Sequence, residues 1–109
     1  MSFNLDITEY SSNKNYGLTG EHPVKVGDRS ARNQRRFLLS LAGPNGEELY
    51  FFRKGSCCPY ESENGFEGMA LVDIYLVNYE GLEQPIPIYI SYYDFETLYI
   101  PIGFTQRKL

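Results

Sequence analysis

The chain has 109 residues, of which 42% are hydrophobic and 22% charged, and its formal net charge is −4. These values are typical of one folded domain, so they argue against extensive disorder and predict a single domain over residues 1–109. No run of apolar residues reaches the ~18 that a membrane span requires. The N-terminus lacks the basic and apolar regions of a signal peptide, which predicts a cytoplasmic protein.

Charge is distributed unevenly along the chain. The 52 residues from Gly55 to Gln106, here called the acid-only segment, contain eight carboxylates, no Lys or Arg, and seven of the ten tyrosines. Nucleic acid binding requires a basic footprint, and the one candidate, Arg29–Arg36, would stand beside a large repulsive charge. We therefore predict no nucleic-acid partner. A surface that binds a basic protein typically carries carboxylates, which attract the partner, and aromatic rings, which provide contact area.

Hydrophobic periodicity indicates the first elements of the fold. Apolar and polar residues alternate over residues 5–9, which predicts a short strand. Several glycines make residues 16–27 irregular, with Val24-Lys25-Val26 as a brief extended piece. A helix is expected to begin near Asp28 or Ser30, because either side chain can cap it, and to continue to the residue before Gly43.

After residue 47 the apolar residues mostly recur at every second position, the period of a β-strand. Strands are predicted over residues 47–54, 69–79, 86–92 and 98–104. The polar residues 55–68 are predicted to form a loop. Because the connections are short, most strands should pair antiparallel. The sequence therefore predicts an α+β fold, with a small curved, mostly antiparallel sheet of five or six strands and one helix.

Two adjacent cysteines, Cys57 and Cys58, are the most unusual local feature. Neighbouring cysteines are too close for an unstrained disulfide, so two reduced thiols are the favoured interpretation, and a redox-responsive pair is the alternative. A structural metal site needs more ligands than two cysteines and one histidine, so neither a metal nor another cofactor is expected. Nothing in the sequence places His22 near the cysteines, and no catalytic pair is predicted.

Two segments combine acidic side chains with aromatic rings and form the predicted partner-binding site. The first lies in the predicted loop, and the second follows the 86–92 strand. Their members are Tyr60, Glu61, Glu63, Asn64, Phe66 and Glu67 in the first segment, and Tyr93, Asp94 and Glu96 in the second. In a protein interface, such aromatic rings would anchor the partner and the carboxylates would orient it. The alternative interpretation is that both segments are solvated acidic loops without a partner.

Short motifs run through most of the chain. They include Tyr16-Gly17-Leu18-Thr19, Gly43-Pro44-Asn45-Gly46, Gly55-Ser56-Cys57-Cys58-Pro59, Tyr79-Glu80-Gly81-Leu82 and Pro101-Ile102-Gly103-Phe104. The chain resembles, in these motifs, a group of small uncharacterised bacterial proteins, many of them predicted Bacteroidetes lipoproteins. The group implies no function, and the sugar-acid aldolase label of some members is rejected, because such enzymes use a barrel of about 250 residues. The sequence shows no signal peptide or lipobox cysteine of the kind that these lipoproteins carry, so an envelope role is not the first expectation.

These observations predict a non-enzymatic protein-binding domain. Its most concrete form is a bacterial immunity-type protein that neutralises a toxin by covering a basic site, with carboxylates in place of an anionic substrate. The expected partner is a protein with a basic surface, and no membrane is expected to take part. The alternatives are a structural or envelope-associated accessory protein, and a thiol-redox or metal-responsive protein that uses Cys57 and Cys58.

Overall fold

The computed structural model describes residues 5–108, which form one α-helix and six β-strands. In chain order they are β1 (Val24–Lys25), α1 (Ala31–Leu39), β2 (Leu41–Ala42), β3 (Tyr50–Phe66), β4 (Met69–Asn78), β5 (Ile86–Ser91) and β6 (Thr105–Gln106). The main sheet has the order β1-β5-β4-β3, and β2 pairs with β6 in a second sheet. Only the β1–β5 pairing among these strands is parallel. The predicted α+β class and mostly antiparallel pairing are confirmed, with the strands divided between two sheets.

The main core lies between α1 and one face of the large sheet. Phe37 and Leu38 of α1 are fully buried in one cluster with Val77 of β4 and with Ile88 and Ile90 of β5. No helix within residues 5–108 is both long and apolar enough to cross a bilayer.

A buried polar side chain, Gln34, joins α1 to the sheet. Its Nε2 donates to Asp73 Oδ2 (2.7 Å) and to the Ile90 carbonyl (3.1 Å), and its Oε1 accepts from the Tyr75 hydroxyl (2.8 Å). An amide that is buried at 1% exposure needs such partners, because an unpaired polar group in a core is costly. The three bonds therefore fix the position of α1 over β4 and β5.

The helix begins as predicted and ends earlier. Ser30 is the N-cap, and its Oγ accepts from the Asn33 N–H at 3.0 Å. The prediction that α1 reaches Ala42 is wrong, because the chain leaves the helix after Leu39 and forms β2, which pairs with β6. Leu41 and Ala42, at the predicted helix end, are nevertheless buried, and Leu41 belongs to the main core cluster.

β3 is much longer than predicted. The predicted loop over residues 55–68 is wrong, because β3 continues to Phe66 and pairs with β4 over most of this length. The pairing is interrupted between Arg53 and Gly55, between Cys57 and Tyr60, and after Glu61. Each irregularity inserts residues into one strand, so the period of two that marks a strand in the sequence is lost.

The strands predicted at 69–79 and 86–92 correspond to β4 and β5, whereas those at the two chain ends are wrong. Residues 5–9 are not a strand, although Tyr10 forms a single bridge with Ile100. Residues 98–104 are irregular apart from that bridge, and the short β6 follows them. Both segments nevertheless bury apolar side chains, among them Ile7 and Ile100, which accounts for the apolar signal in the sequence.

Candidate functional site

Asp94 brings the two predicted segments together. Its Oδ1 accepts hydrogen bonds from the Ser62 hydroxyl (2.8 Å) and the Asn64 side-chain amide (2.7 Å), and its Oδ2 accepts one from the Tyr60 hydroxyl (3.2 Å). The three donors are alternate residues of β3, so their side chains leave the strand on one side. We call these four residues the Asp94 cluster. It links the end of the β3–β4 hairpin to the turn after β5.

The donors around Asp94 favour its ionised form. The hydrogen bond from Asn64 is the largest cause of the lowered pKa of Asp94; burial opposes it, and the bonds from Ser62 and Tyr60 and the charge of Lys25 add to the lowering. Burial raises the pKa of the Tyr60 hydroxyl, which also contacts Ser91 Oγ at 2.9 Å. The cluster therefore consists of an ionised Asp94 carboxylate that accepts hydrogen bonds from a neutral Tyr60 hydroxyl and from two further donors of β3. Such bonds hold the backbone of β3 in position.

Two cations from the chain before α1 complete the site. The Lys25 ammonium lies 4.9 Å from the centroid of the Tyr60 ring and 3.7 Å from Glu96 Oε1. Arg29 donates from Nη2 to the Asn64 carbonyl (2.7 Å), and its guanidinium lies 5.5 Å from the centroid of the Tyr93 ring. Neither cation was predicted as a site residue, because both lie outside the acid-only segment and reach the site through folding alone.

Beside the exposed cation Arg29, this end of the molecule exposes several acidic and aromatic side chains. We define the acidic end as the exposed or half-exposed residues Glu61, Glu63, Phe66, Glu67, Asp94, Phe95 and Glu96. Phe66 is 73% exposed and Phe95 67% exposed. Phe95 was not predicted as a site residue, although its position between two acids is the same signal that selected its neighbours. The structure thus gathers the predicted residues and adds one aromatic side chain.

A groove of about 460 Å³ runs beside the cluster. Its walls include Arg29, Glu63, Asn64, Tyr93 and Phe95, so it is lined by residues of both predicted segments and by a cation. A groove with aromatic walls and charges of both signs provides contact area together with groups that orient a polar partner.

The other carboxylates of the acid-only segment lie elsewhere. Asp73 accepts from Gln34 and forms a salt bridge with Arg53 at 2.8 Å. Glu80 and Glu83 are exposed in the connection between β4 and β5, at the opposite end of β4 from the β3–β4 hairpin. The eight carboxylates therefore do not form one surface, and the candidate docking face is restricted to the acidic end.

Cys57 and Cys58 are joined by a disulfide, so the interpretation as two reduced thiols is wrong. Cys58 has a φ of 58°, in the left-handed region, and lies at an irregularity of β3. It lines a groove of about 380 Å³ together with His22, which the sequence did not place near the cysteines. Within residues 5–108, no group of three or more His, Cys, Asp or Glu side chains is arranged to hold a metal ion.

A second exposed surface, on the main sheet, was also missed. Tyr50 and Phe52 of β3 are 63% and 61% exposed. Phe52 pairs with Leu76 of β4, which pairs in turn with Pro87 of β5, so the three form an apolar row across one sheet face. The face opposite carries Tyr75 and the core, which explains why aromatic residues at neighbouring positions of β3 have different environments.

Comparisons with known proteins assign neither a family nor a function to the chain. No protein-family model, curated protein or solved structure matches the chain. The resemblance to small bacterial proteins therefore stays a prediction, and function is argued from the geometry.

Proposed function

We propose that the protein is a non-enzymatic protein-binding domain of the immunity type, which acts in the cytoplasm and covers a basic site of a bacterial toxin with its acidic end. The observation that carries the proposal is the junction at Asp94, which joins two separate acidic and aromatic segments on one end of the molecule. Acidic surfaces accelerate encounter with basic partners, and exposed rings provide contact area once the partner is bound.

Asp94 and the surrounding glutamates have different roles in this proposal. Asp94 already accepts three hydrogen bonds within the chain, so it holds the hairpin in place and has little capacity left for a partner. Glu61, Glu63 and Glu67 are exposed on the hairpin and are the side chains that would meet basic groups. A hairpin fixed in advance loses less conformational entropy on binding, which favours affinity.

The exposed aromatic residues support a protein partner over a small ion. Phe66 and Phe95 together place two large apolar side chains in solvent at the same end as the glutamates. Exposed aromatic residues in a charged surrounding are typical of the centre of a protein interface. Arg29, on the groove wall, would pair with a carboxylate of the partner and thereby fix its orientation.

The test compares two variants with the same change in charge. E61K/E63K reverses two glutamates of the acidic end, and E80K/E83K reverses two exposed glutamates at the far end of β4. Each protein is immobilised and exposed to an extract of the source organism at low salt. We expect wild type and E80K/E83K to retain the same protein, and E61K/E63K to retain it at least about tenfold less, because close charge pairs across an interface contribute that much or more.

A second step identifies the partner as a toxin. The retained protein is expressed alone and together with each variant, and growth of the host is measured. Wild type and E80K/E83K should restore growth and E61K/E63K should not. Equal loss of binding in both variants would indicate attraction by net charge alone, and retention of no protein by the wild type would count against any partner of this kind.

A further inference from the structure

The vicinal disulfide occupies a break in the β3–β4 pairing. Cys57 pairs with Val72 and Tyr60 pairs with Ala70, so β3 contains one more residue than β4 over this stretch. The extra residue allows a bulge in which Cys58 has a φ of 58°. A residue with a Cβ is disfavoured in this region, which glycine usually occupies in such bulges. The bond to Cys57 closes a small ring that restricts Cys58 to its conformation.

A separate segment, residues 15–22, is fitted against the disulfide. Gly20 lies so close to Cys58 that an added Cβ would collide with Sγ, and it would come within 3.6 Å of Cys57 Sγ. The segment is held to the sheet by the Gly17 carbonyl, which accepts from the Tyr89 N–H at 2.8 Å. This fit depends on the position of both sulfur atoms.

One buried polar atom of this segment lacks a hydrogen-bond partner. Among residues 5–108, Thr19 Oγ1 is the buried side-chain polar atom that has no hydrogen-bond partner. Such an atom has given up its hydrogen bonds to water without replacement, which lowers the free energy needed to move the segment away. Thr19 also lines the groove that leads to Cys58.

We propose that Cys57–Cys58 is a site of reduction by dithiols, and that reduction releases residues 15–22 from β3 and loosens the Asp94 cluster. A thiolate of the dithiol attacks one sulfur, and the other cysteine leaves as a thiolate and takes up a proton. The second thiol of the reductant then attacks the mixed disulfide, releases the remaining cysteine and becomes part of a disulfide in the reductant. Two electrons and two protons pass to the protein in total.

The link to the Asp94 cluster runs along β3. Tyr60 is two residues from Cys58, and its hydroxyl contacts both Asp94 and Ser91. Once the ring is opened, Cys58 is no longer restricted to the left-handed region and the bulge can rearrange. Because Ser62 and Asn64 continue the same strand, a change at the bulge shifts all three donors relative to Asp94. Release of residues 15–22 and loosening of the Asp94 cluster are changes within the chain itself and require no basic partner.

The test is hydrogen exchange, measured by mass spectrometry on the full chain with and without dithiothreitol. Reduction without denaturant should add about 2 Da to the intact mass. Amide exchange in residues 15–22 and 60–64 should then rise by at least about fivefold, while α1 exchanges as before, because local opening changes exchange only where contacts are lost.

Two variants test separately whether the disulfide holds these segments in place. C57S/C58S should exchange like the reduced wild type in both segments and should not respond to dithiothreitol. G20A, which places a methyl group against Cys58 Sγ, should increase the rate of reduction. Full reduction that leaves exchange in both segments unchanged would overturn the inference, as would a disulfide that is reduced only in denaturant. The wild-type measurement decides the matter even if a variant does not fold.

Discussion

Tyr16 shows how burial of one side chain sets a pH limit on the fold. Its hydroxyl accepts a hydrogen bond from the Tyr99 N–H at 3.1 Å, and the two rings meet edge to face at 5.9 Å. Burial raises the pKa of Tyr16 from 10.0 to about 12, against the hydrogen bond from Tyr99, which lowers it, and with a smaller rise from the charge of Glu96. The folded protein therefore binds the phenolic proton more tightly than the unfolded chain.

The variant Tyr16→Phe tests this linkage. Near neutral pH we expect a loss of about 1 kcal/mol in the free energy of unfolding, because the Tyr99 N–H loses its acceptor. Above pH 10.0 the unfolded chain ionises Tyr16 and the folded protein does not until about 12, so wild-type stability falls in this window by a contribution that the variant lacks. Urea denaturation at about pH 8 and about pH 11 should show the difference between the two proteins narrowing. A constant difference would contradict the assignment.

At the scale of elements, Gln34 is the contact through which α1 is positioned on the sheet. We expect Gln34→Leu to lower the free energy of unfolding by about 2–3 kcal/mol, because the Tyr75 hydroxyl and the Asp73 carboxylate each lose a partner near the core. Urea denaturation measures the change. A double-mutant cycle with Tyr75→Phe should give a coupling energy of at least about 0.5 kcal/mol, since the two side chains are in direct contact.

The matched control is Arg35→Ala on the same helix. Arg35 is exposed, so its replacement should change the free energy of unfolding by less than about 0.5 kcal/mol. Leu and Ala favour a helix at least as well as Gln and Arg do, so helix propensity predicts no loss in either variant. Equal destabilisation by both variants would show that the buried amide has no special role. A coupling energy near zero would show that the 2.8 Å bond contributes nothing of its own.

The full length of β3 could not be predicted from local sequence patterns, in contrast to other elements. The start of α1 at the Ser30 cap and the central strands β4 and β5 could be predicted, because capping residues and apolar runs bounded by turn residues are local signals. β3 could not, because its irregularities break the alternation and its glycines and Pro59 indicate a loop. Pairing with β4 overrides those local preferences.

For the whole molecule, the two segments of the site were predicted, and the contacts that join them were not. The acidic and aromatic composition of both segments is a property of the sequence, whereas the bond from Ser62 to Asp94 joins residues 32 positions apart. The cations Lys25 and Arg29 come from another part of the chain, and the disulfide depends on the conformation of Cys58. Contacts of this range are set by topology, which periodicity does not specify.

The two faces of the main sheet give a prediction for the molecule as a whole. Phe51 packs on Tyr75 with ring centroids 6.3 Å apart, on the face that carries the core, whereas its neighbour Phe52 is 61% exposed on the other face. Phe51→Ser should therefore lower the free energy of unfolding by about 2–4 kcal/mol, and Phe52→Ser by less than about 1 kcal/mol, in urea denaturation. Phe52→Ser should also reduce fluorescence of a dye that binds exposed apolar surface, because the row with Leu76 loses its largest ring. Similar destabilisation by the two substitutions would mean that the outer face is covered in the folded protein.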